Sequence, residues 1–293
     1  MEDNNSERRS GGSPLRLLLT LLLVIVVPLA LSLFLGSRLL PQPKVGIIRL
    51  SYDLFAESAE EITRQLNYAR SDGSIEAVVL VINSPGGSAA YSEELYLSVL
   101  ETREVKPVVA TVDLLAASGA YFMAAAADEI YAKPTSYIGS IGVIAQLPGQ
   151  VYIDDFIITT GPYKAFGGTR DGMTRQIEMA KFAFLQAVEA GRGDRLQTDL
   201  AFLSRAEIYT AVQAQEMGLI DGLLSTDKAI ERAAELAGIS NYEVVELLPL
   251  AFPELVVGQS AAYRPPAVNP QALWASPTNL PTGLYYRYIE PGR

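Results

Sequence analysis

Ala77-Val78-Val79-Leu80-Val81-Ile82, followed at once by Asn83-Ser84-Pro85-Gly86-Gly87, decides the fold class. An unbroken apolar run of this length, rich in β-branched residues, is what a strand needs when both of its faces are covered. After the glycines, Ala89–Glu101 resumes helical spacing. Working outward, Val45–Leu50 reads as a strand, and Ala56–Arg70 as an amphipathic helix with Ile62, Leu66 and Ala69 on one side. Downstream, Pro107–Val112 reads as a short buried strand, Ser118–Ala127 as a helix of small residues and Glu129–Ala132 as a strand. Ile138–Ile144 is a glycine-punctuated strand, Val151–Thr159 another strand, and Met173–Ala190 a long helix. Helices near Ala211–Met217 and Thr226–Ala237 precede a last strand, Tyr242–Leu248. Repeated strand–helix alternation predicts an α/β fold with a largely parallel sheet.

Composition narrows the chemistry. The formal net charge of −10 leaves no broad cationic footprint, which argues against a nucleic-acid partner. There are no cysteines, so thiolate catalysis, disulfides and Cys-ligated metals are excluded. There are no histidines either, which removes Ser-His-Asp triads and the usual zinc sites; no metal or cofactor is expected. Hydrolysis by this chain would need Lys, Asp, Glu, Tyr or the N-terminus as its base. The lysines are few: Lys44, Lys106, Lys133, Lys164, Lys181 and Lys228.

The two ends differ from the middle. Residues 1–14 are polar and expected to be disordered. Leu15–Leu35 is almost wholly apolar, interrupted by Arg16, Thr20, Pro28 and Ser32, and about 20 such residues span a bilayer as a helix. The expectation is a single transmembrane anchor over 15–36 and a linker over 37–44 containing Pro41 and Pro43. A cleaved signal peptide is the rival reading, but its small pair, Ala30 and Ser32, lies inside the apolar run. Arg8, Arg9 and Arg16 precede the segment and Arg38 and Lys44 follow it, a slight bias that places the following domain outside the cytoplasm. At the other end, 250–293 holds seven of the 17 prolines and Tyr285, Tyr286 and Tyr288, and is expected to run extended over a neighbour or stay mobile.

Three segments carry candidate chemistry. In Asn83–Gly87 the glycines let peptide N–H groups approach a developing oxyanion without Cβ atoms in the way; the same residues also make an ordinary strand-to-helix turn. In Ala116-Ala117-Ser118-Gly119-Ala120-Tyr121, Ser118 opens a helix of small residues. A serine there is equally a helix cap, but its surroundings admit a substrate and the Gly119 N–H can face the same oxyanion. In Thr160-Gly161-Pro162-Tyr163-Lys164-Ala165-Phe166-Gly167-Gly168, Lys164 sits among aromatic and small residues, where desolvation would favour a neutral, proton-accepting amine. A surface lysine lying along Tyr163 is the alternative. Lys133, just after a strand beside the Ser118 helix, is the rival base.

These segments, with Ala117–Ala132, Gly139-Ser140-Ile141-Gly142-Val143, Met173-Thr174 and Ile208–Asp221, resemble the signal peptide peptidase A family, serine/lysine-dyad relatives of the Clp protease and crotonase fold. The resemblance runs from about Val45 to Leu248, so 45–249 would be a peptidase domain of that fold. It implies Ser118 as nucleophile, Lys164 as general base, Ser140 as a support for that lysine, and Gly86, Gly87 and Gly119 as oxyanion donors. It also implies a ring-like homo-oligomer at the cell membrane acting on residual signal peptides and other hydrophobic or unfolded peptides. The sequence departs from the family at Ala120, at Phe122, in the short Val143–Tyr163 segment and around Tyr209-Thr210. A crotonase-like acyl-CoA enzyme and a non-catalytic membrane scaffold are the competing functions.

Overall fold

The computed structural model describes residues 14–29, 31–32, 42–146, 160–161, 163–164, 167–254 and 283–287. The chain separates into two units, Met1–Gln42 and Pro43–Arg293. In the first, Pro14–Leu21 is α-helical and Leu22–Val26 continues as a π-helical turn. Its apolar side chains, Leu18, Leu23 and Val24 among them, are exposed. Among the described residues no helix is long and apolar enough to cross a membrane. Residues 30 and 33–36 of the expected anchor lie outside the described residues.

The second unit is built on a mostly parallel sheet. Its path runs β10 (Glu243–Glu246), β1 (Lys44–Leu50), β2 (Ile75–Ser84), β4 (Val108–Ala117), β5 (Glu129–Ala132), β9 (Gly222–Leu223), every neighbouring pair parallel. The long strand β4 outruns β5, and its last residues pair instead with β6 (Tyr137–Gly139), which pairs antiparallel with β8 (Ile208–Thr210). A separate small sheet joins β3 (Gly86–Ser88), β11 (Gly283–Arg287) and β7 (Ile144–Gln146), with β11 in the centre.

Alternation along the central strands sorts the core into two faces. Val78, Leu80 and Ile82 of β2 join Ile62, Leu66, Leu95 and Val99 from the helices Ala56–Ser71 and Ala89–Arg103. Ala77, Val79 and Val81 face the other way, onto Ala229 and Ala233 of the helix Thr226–Leu236. The run Ala77–Ile82 is therefore buried on both sides, as its composition predicts.

One expectation is corrected. Ile138–Ile144 is not one strand: the chain leaves β6 at Gly139 and re-enters the other sheet as β7 at Ile144. Positive φ at Gly139 (126°) and Ser140 (53°) turns the backbone out of the first sheet. In the segment after 249, Gly283–Arg287 is a strand of this unit, extended between β3 and β7. The expected strand Val151–Thr159 lies outside the described residues.

Candidate active site

β2 and β4 are adjacent and parallel, so their carboxyl ends deliver Asn83-Ser84 and Ser118 to the same edge of the sheet, the usual place for a site in such folds. Ser84 pairs with Ala116 at that edge. Lys106 stands at the opposite end of β4, a ten-residue strand and so roughly 33 Å away, bonded to the carbonyls of Ala69 and Asp72.

Ser118 links β4 to the helix Gly119–Ala124 with φ 55° and ψ −125°. That conformation suits glycine at the first central position of a type II′ turn, and a residue with a Cβ is strained in it. Two hydrogen bonds and burial hold it there. Its N–H donates to the Gly139 carbonyl at 2.8 Å, its carbonyl accepts from the Phe122 N–H at 2.9 Å, and the residue is fully buried. Its Oγ is buried with no hydrogen-bond partner among the described residues.

The strain is not isolated. Among the described residues three non-glycine residues have positive φ: Ser118, Ser140 and Ala206. All three belong to one patch, because Ser118 bonds Gly139, Ser140 donates its N–H to the Glu207 carbonyl at 2.8 Å, and Ala206 precedes Glu207. Strained backbone persists only where surrounding structure over-determines it, and it gathers at functional sites. Sequence reasoning missed Ala206, Glu207 and Tyr209 as parts of this patch. Tyr209 packs beside Gly139, and its hydroxyl is buried without a partner among the described residues.

The glycine turn has two distinct reasons for its residues. Gly86 has φ 90°, and its N–H donates to Ser84 Oγ at 3.1 Å. Gly87 lies so close to the Leu54 backbone that a Cβ would fall 2.0 Å from the Leu54 oxygen. The Gly119 N–H is at the first helical position, where no intrahelical acceptor exists. To serve an oxyanion, the Gly86 N–H must exchange the Ser84 hydroxyl for it.

The helix behind Ser118 is rigidly backed. Residues 119–127 are buried throughout, and the long helix Arg170–Arg192 approaches so closely that a Cβ on Gly191 would sit 1.9 Å from the Ala125 oxygen. Phe122 packs between Tyr96 and Phe184, and Tyr121 donates its hydroxyl to the Leu219 carbonyl at 2.7 Å. Burial pushes the Tyr121 phenol well up from its ordinary value, so it stays a donor. The 217–222 loop is fixed in turn by Asp221, which takes both Arg192 nitrogens at 2.9 Å, Arg195 at 3.0 Å and the Ile130 N–H at 2.7 Å. Burial alone would raise the Asp221 carboxyl, but the Arg192 hydrogen bonds and charge, with the Ile130 N–H and Arg195, outweigh it and hold the group below its ordinary value.

The lysines divide clearly. Lys133 is ion-paired with Asp113. Lys164 is exposed in a turn, next to an exposed Tyr163. Ser118 Oγ has no partner among the described residues, Lys164 included, so the structure of the single chain does not bring the Lys164 amine within hydrogen-bond reach of it. Ser140, only 8% exposed, sits one residue beyond the carbonyl that holds the Ser118 N–H.

Two family models match this region: Clp protease over residues 38–140 and peptidase family S49 over 101–240. A protein of Synechocystis sp. that carries a provisional protease name is 31% identical over 195 residues, 62% of this chain and 70% of its own. The chain belongs to peptidase family S49. A similarly named protein of Methanocaldococcus jannaschii is 34% identical over 195 residues, covering 62% of each chain. The chloroplastic serine protease SPPA of Arabidopsis thaliana is 29% identical over 213 residues, 67% of this chain but 31% of its own. The matched stretch thus spans less than two thirds of either of these last two relatives. Ser118 falls where the Clp and S49 matches overlap, whereas Lys164 falls within the S49 match alone.

Proposed function

We propose that this chain is a membrane-tethered serine endopeptidase in which Ser118 is the nucleophile and Lys164 the general base. One observation carries the serine: a buried, unpartnered hydroxyl on a strained strand-to-helix turn beside a glycine turn. In the reaction, the neutral Lys164 amine takes the Oγ proton as Oγ bonds the substrate carbonyl carbon. The Gly86 or Gly87 N–H and the Gly119 N–H stabilise the oxyanion. The lysine ammonium then protonates the leaving amine as the C–N bond breaks. Water, deprotonated by the same amine, cleaves the acyl ester and restores the serine.

An exposed Lys164 and an unpartnered Ser118 in one chain support a site completed by a second copy, within a ring-like homo-oligomer. An amine is a base only when neutral, and burial against a neighbour favours that form. Ser140 lies beside Ser118 and would orient the incoming lysine. The exposed apolar residues Leu18–Val27 support a tether in a cell membrane, with the catalytic unit outside the cytoplasm. An enzyme so placed meets hydrophobic peptides, and residual signal peptides or unfolded segments are the substrate class we assign.

The test uses full-length protein in detergent. Wild type should turn over a hydrophobic peptide and react with a fluorophosphonate at Ser118, and Ser118→Ala should do neither. Turnover by Ser118→Ala refutes the nucleophile. Ser118→Ala and Lys164→Ala, each inactive alone, should regain activity when mixed, at roughly a quarter of the sites for random assembly in a ring. Mixtures that stay inactive while co-assembling would refute completion between copies.

A further inference from the structure

Among the described residues three hydroxyls are buried with no hydrogen-bond partner, those of Thr63, Ser118 and Tyr209. The last two residues meet at Gly139. Its carbonyl holds the Ser118 N–H at 2.8 Å, and a Cβ on it would lie 3.1 and 3.4 Å from Cδ2 and Cε2 of the Tyr209 ring. The Tyr209 oxygen is carried by the ring carbon next to Cε2. Ser140, which follows Gly139, donates its N–H to the carbonyl of Glu207, two residues before Tyr209.

The phenol is clamped where it stands. Its strand, β8, pairs with β6 at Ile138, and its ring stacks on Phe202 with centroids 6.3 Å apart. The Arg205 guanidinium lies over the Phe202 ring, 5.1 Å from its centroid. With the ring held, the oxygen keeps its place and only its hydrogen rotates. Among the described residues the charges facing it are Arg205 and Glu207, ion-paired with each other at 2.5 Å. Burial and the Glu207 charge push the phenol up from its ordinary value against the pull of Arg205, so it stays a neutral hydroxyl. A buried hydroxyl without a partner destabilises a chain, and phenylalanine would fill the same space without that penalty. The hydroxyl therefore has work at the site beside it.

We propose that Tyr209 is a positioning residue for the base: its oxygen, together with Ser140 Oγ, accepts the two N–H groups of the neutral Lys164 amine of a second copy. The inference rests on the peptidase reading above. A neutral amine has two N–H groups and one lone pair. With both N–H groups held by oxygens, the lone pair is left to face the Ser118 proton. After transfer the ammonium has three N–H groups; the two oxygens keep theirs, and the third passes its proton to the leaving amine. An oxygen that accepts from the ammonium favours the charged form, so removing it lowers the pKa of the amine.

The test reads the amine before the reaction. Trace acetylation of full-length Ser118→Ala in detergent, followed over a pH series and read at each lysine by mass spectrometry, gives the Lys164 titration midpoint without turnover. Tyr209→Phe in that chain keeps the ring against Gly139 and removes only an oxygen. It should move the Lys164 midpoint down by about one pH unit and leave the other lysines where they were. An unmoved Lys164 midpoint overturns the inference, because loss of a merely structural hydroxyl would leave it there. With Ser118 intact, Tyr209→Phe should lower kcat about 10-fold with KM unchanged, and carry the acidic limb of the pH–rate profile to lower pH. Unchanged kcat in an active enzyme likewise overturns it. A moved midpoint in a chain that never cleaves peptide would sink the peptidase reading and leave the contact between Tyr209 and Lys164 standing.

Discussion

Replacing Ser118 by glycine and by alanine separates backbone strain from chemistry. Both variants lose the hydroxyl, so whatever partner Oγ finds in an assembly cancels between them. What remains is the Cβ on a residue with φ 55° and ψ −125°. Holding a non-glycine residue in such a region costs about 1–3 kcal/mol. Glycine relieves that cost but is set back by about 0.5–1 kcal/mol of extra unfolded-state entropy. Ser118→Gly should therefore be more stable than Ser118→Ala by about 1 kcal/mol, or roughly 2–4 °C in Tm for a domain of this size. Urea and thermal unfolding of the full-length variants, compared pairwise, give the difference directly. An alanine variant as stable as the glycine variant, or more so, would refute the claim that the turn is strained, and the argument from strain to nucleophile would fall with it.

The supports behind the serine make further predictions. Arg192 is 1% exposed and holds Asp221 through two hydrogen bonds, so Arg192→Met should cost about 3–5 kcal/mol by urea unfolding, with Asp221→Leu in the same chain recovering part of it. Gly87→Ala should lose about 3 kcal/mol and most turnover, because the Leu54 backbone rather than a side chain occupies the space of the new methyl group. Asp221 has a folded-state pKa below the ordinary 3.8, so its stabilisation is present above that pH and is lost as the pH falls through the folded value. Between pH 6 and pH 3, wild type should then lose more of its urea midpoint than Asp221→Asn does.

Legibility of the fold followed burial. Ala77–Ile82 is apolar on both faces and buried on both faces, and Glu129–Ala132 carries its strand at the residues its pattern indicates. The pattern failed where backbone conformation rather than burial decides. Ile138–Ile144 has strand-like composition, but Ser140 takes a positive φ that serine does not advertise, and the run splits between two sheets. β3, β7 and β11 are three to five residues long and meet across nearly 200 residues of sequence, so no local period marks them.

The two halves of the candidate dyad differ for a physical reason. Ser118 is defined by a contiguous strand–turn–helix, in which small residues before it pair with β6 and small residues after it pack under the helix Arg170–Arg192. Sequence proximity and spatial proximity coincide there, so the serine could be read from a dozen residues. The base must cross space that the sheet does not bridge. Lys164 lies in a turn closed by the Gly167 N–H to the Tyr163 carbonyl at 2.8 Å, and nothing described ties that turn to the strained patch. An exposed lysine and, apart from it, an unpartnered serine are a poor end state for one chain but a suitable arrangement for two. The complementation of Ser118→Ala by Lys164→Ala therefore tests the assignment more sharply than either loss of activity alone, because only a shared site makes two dead chains active together.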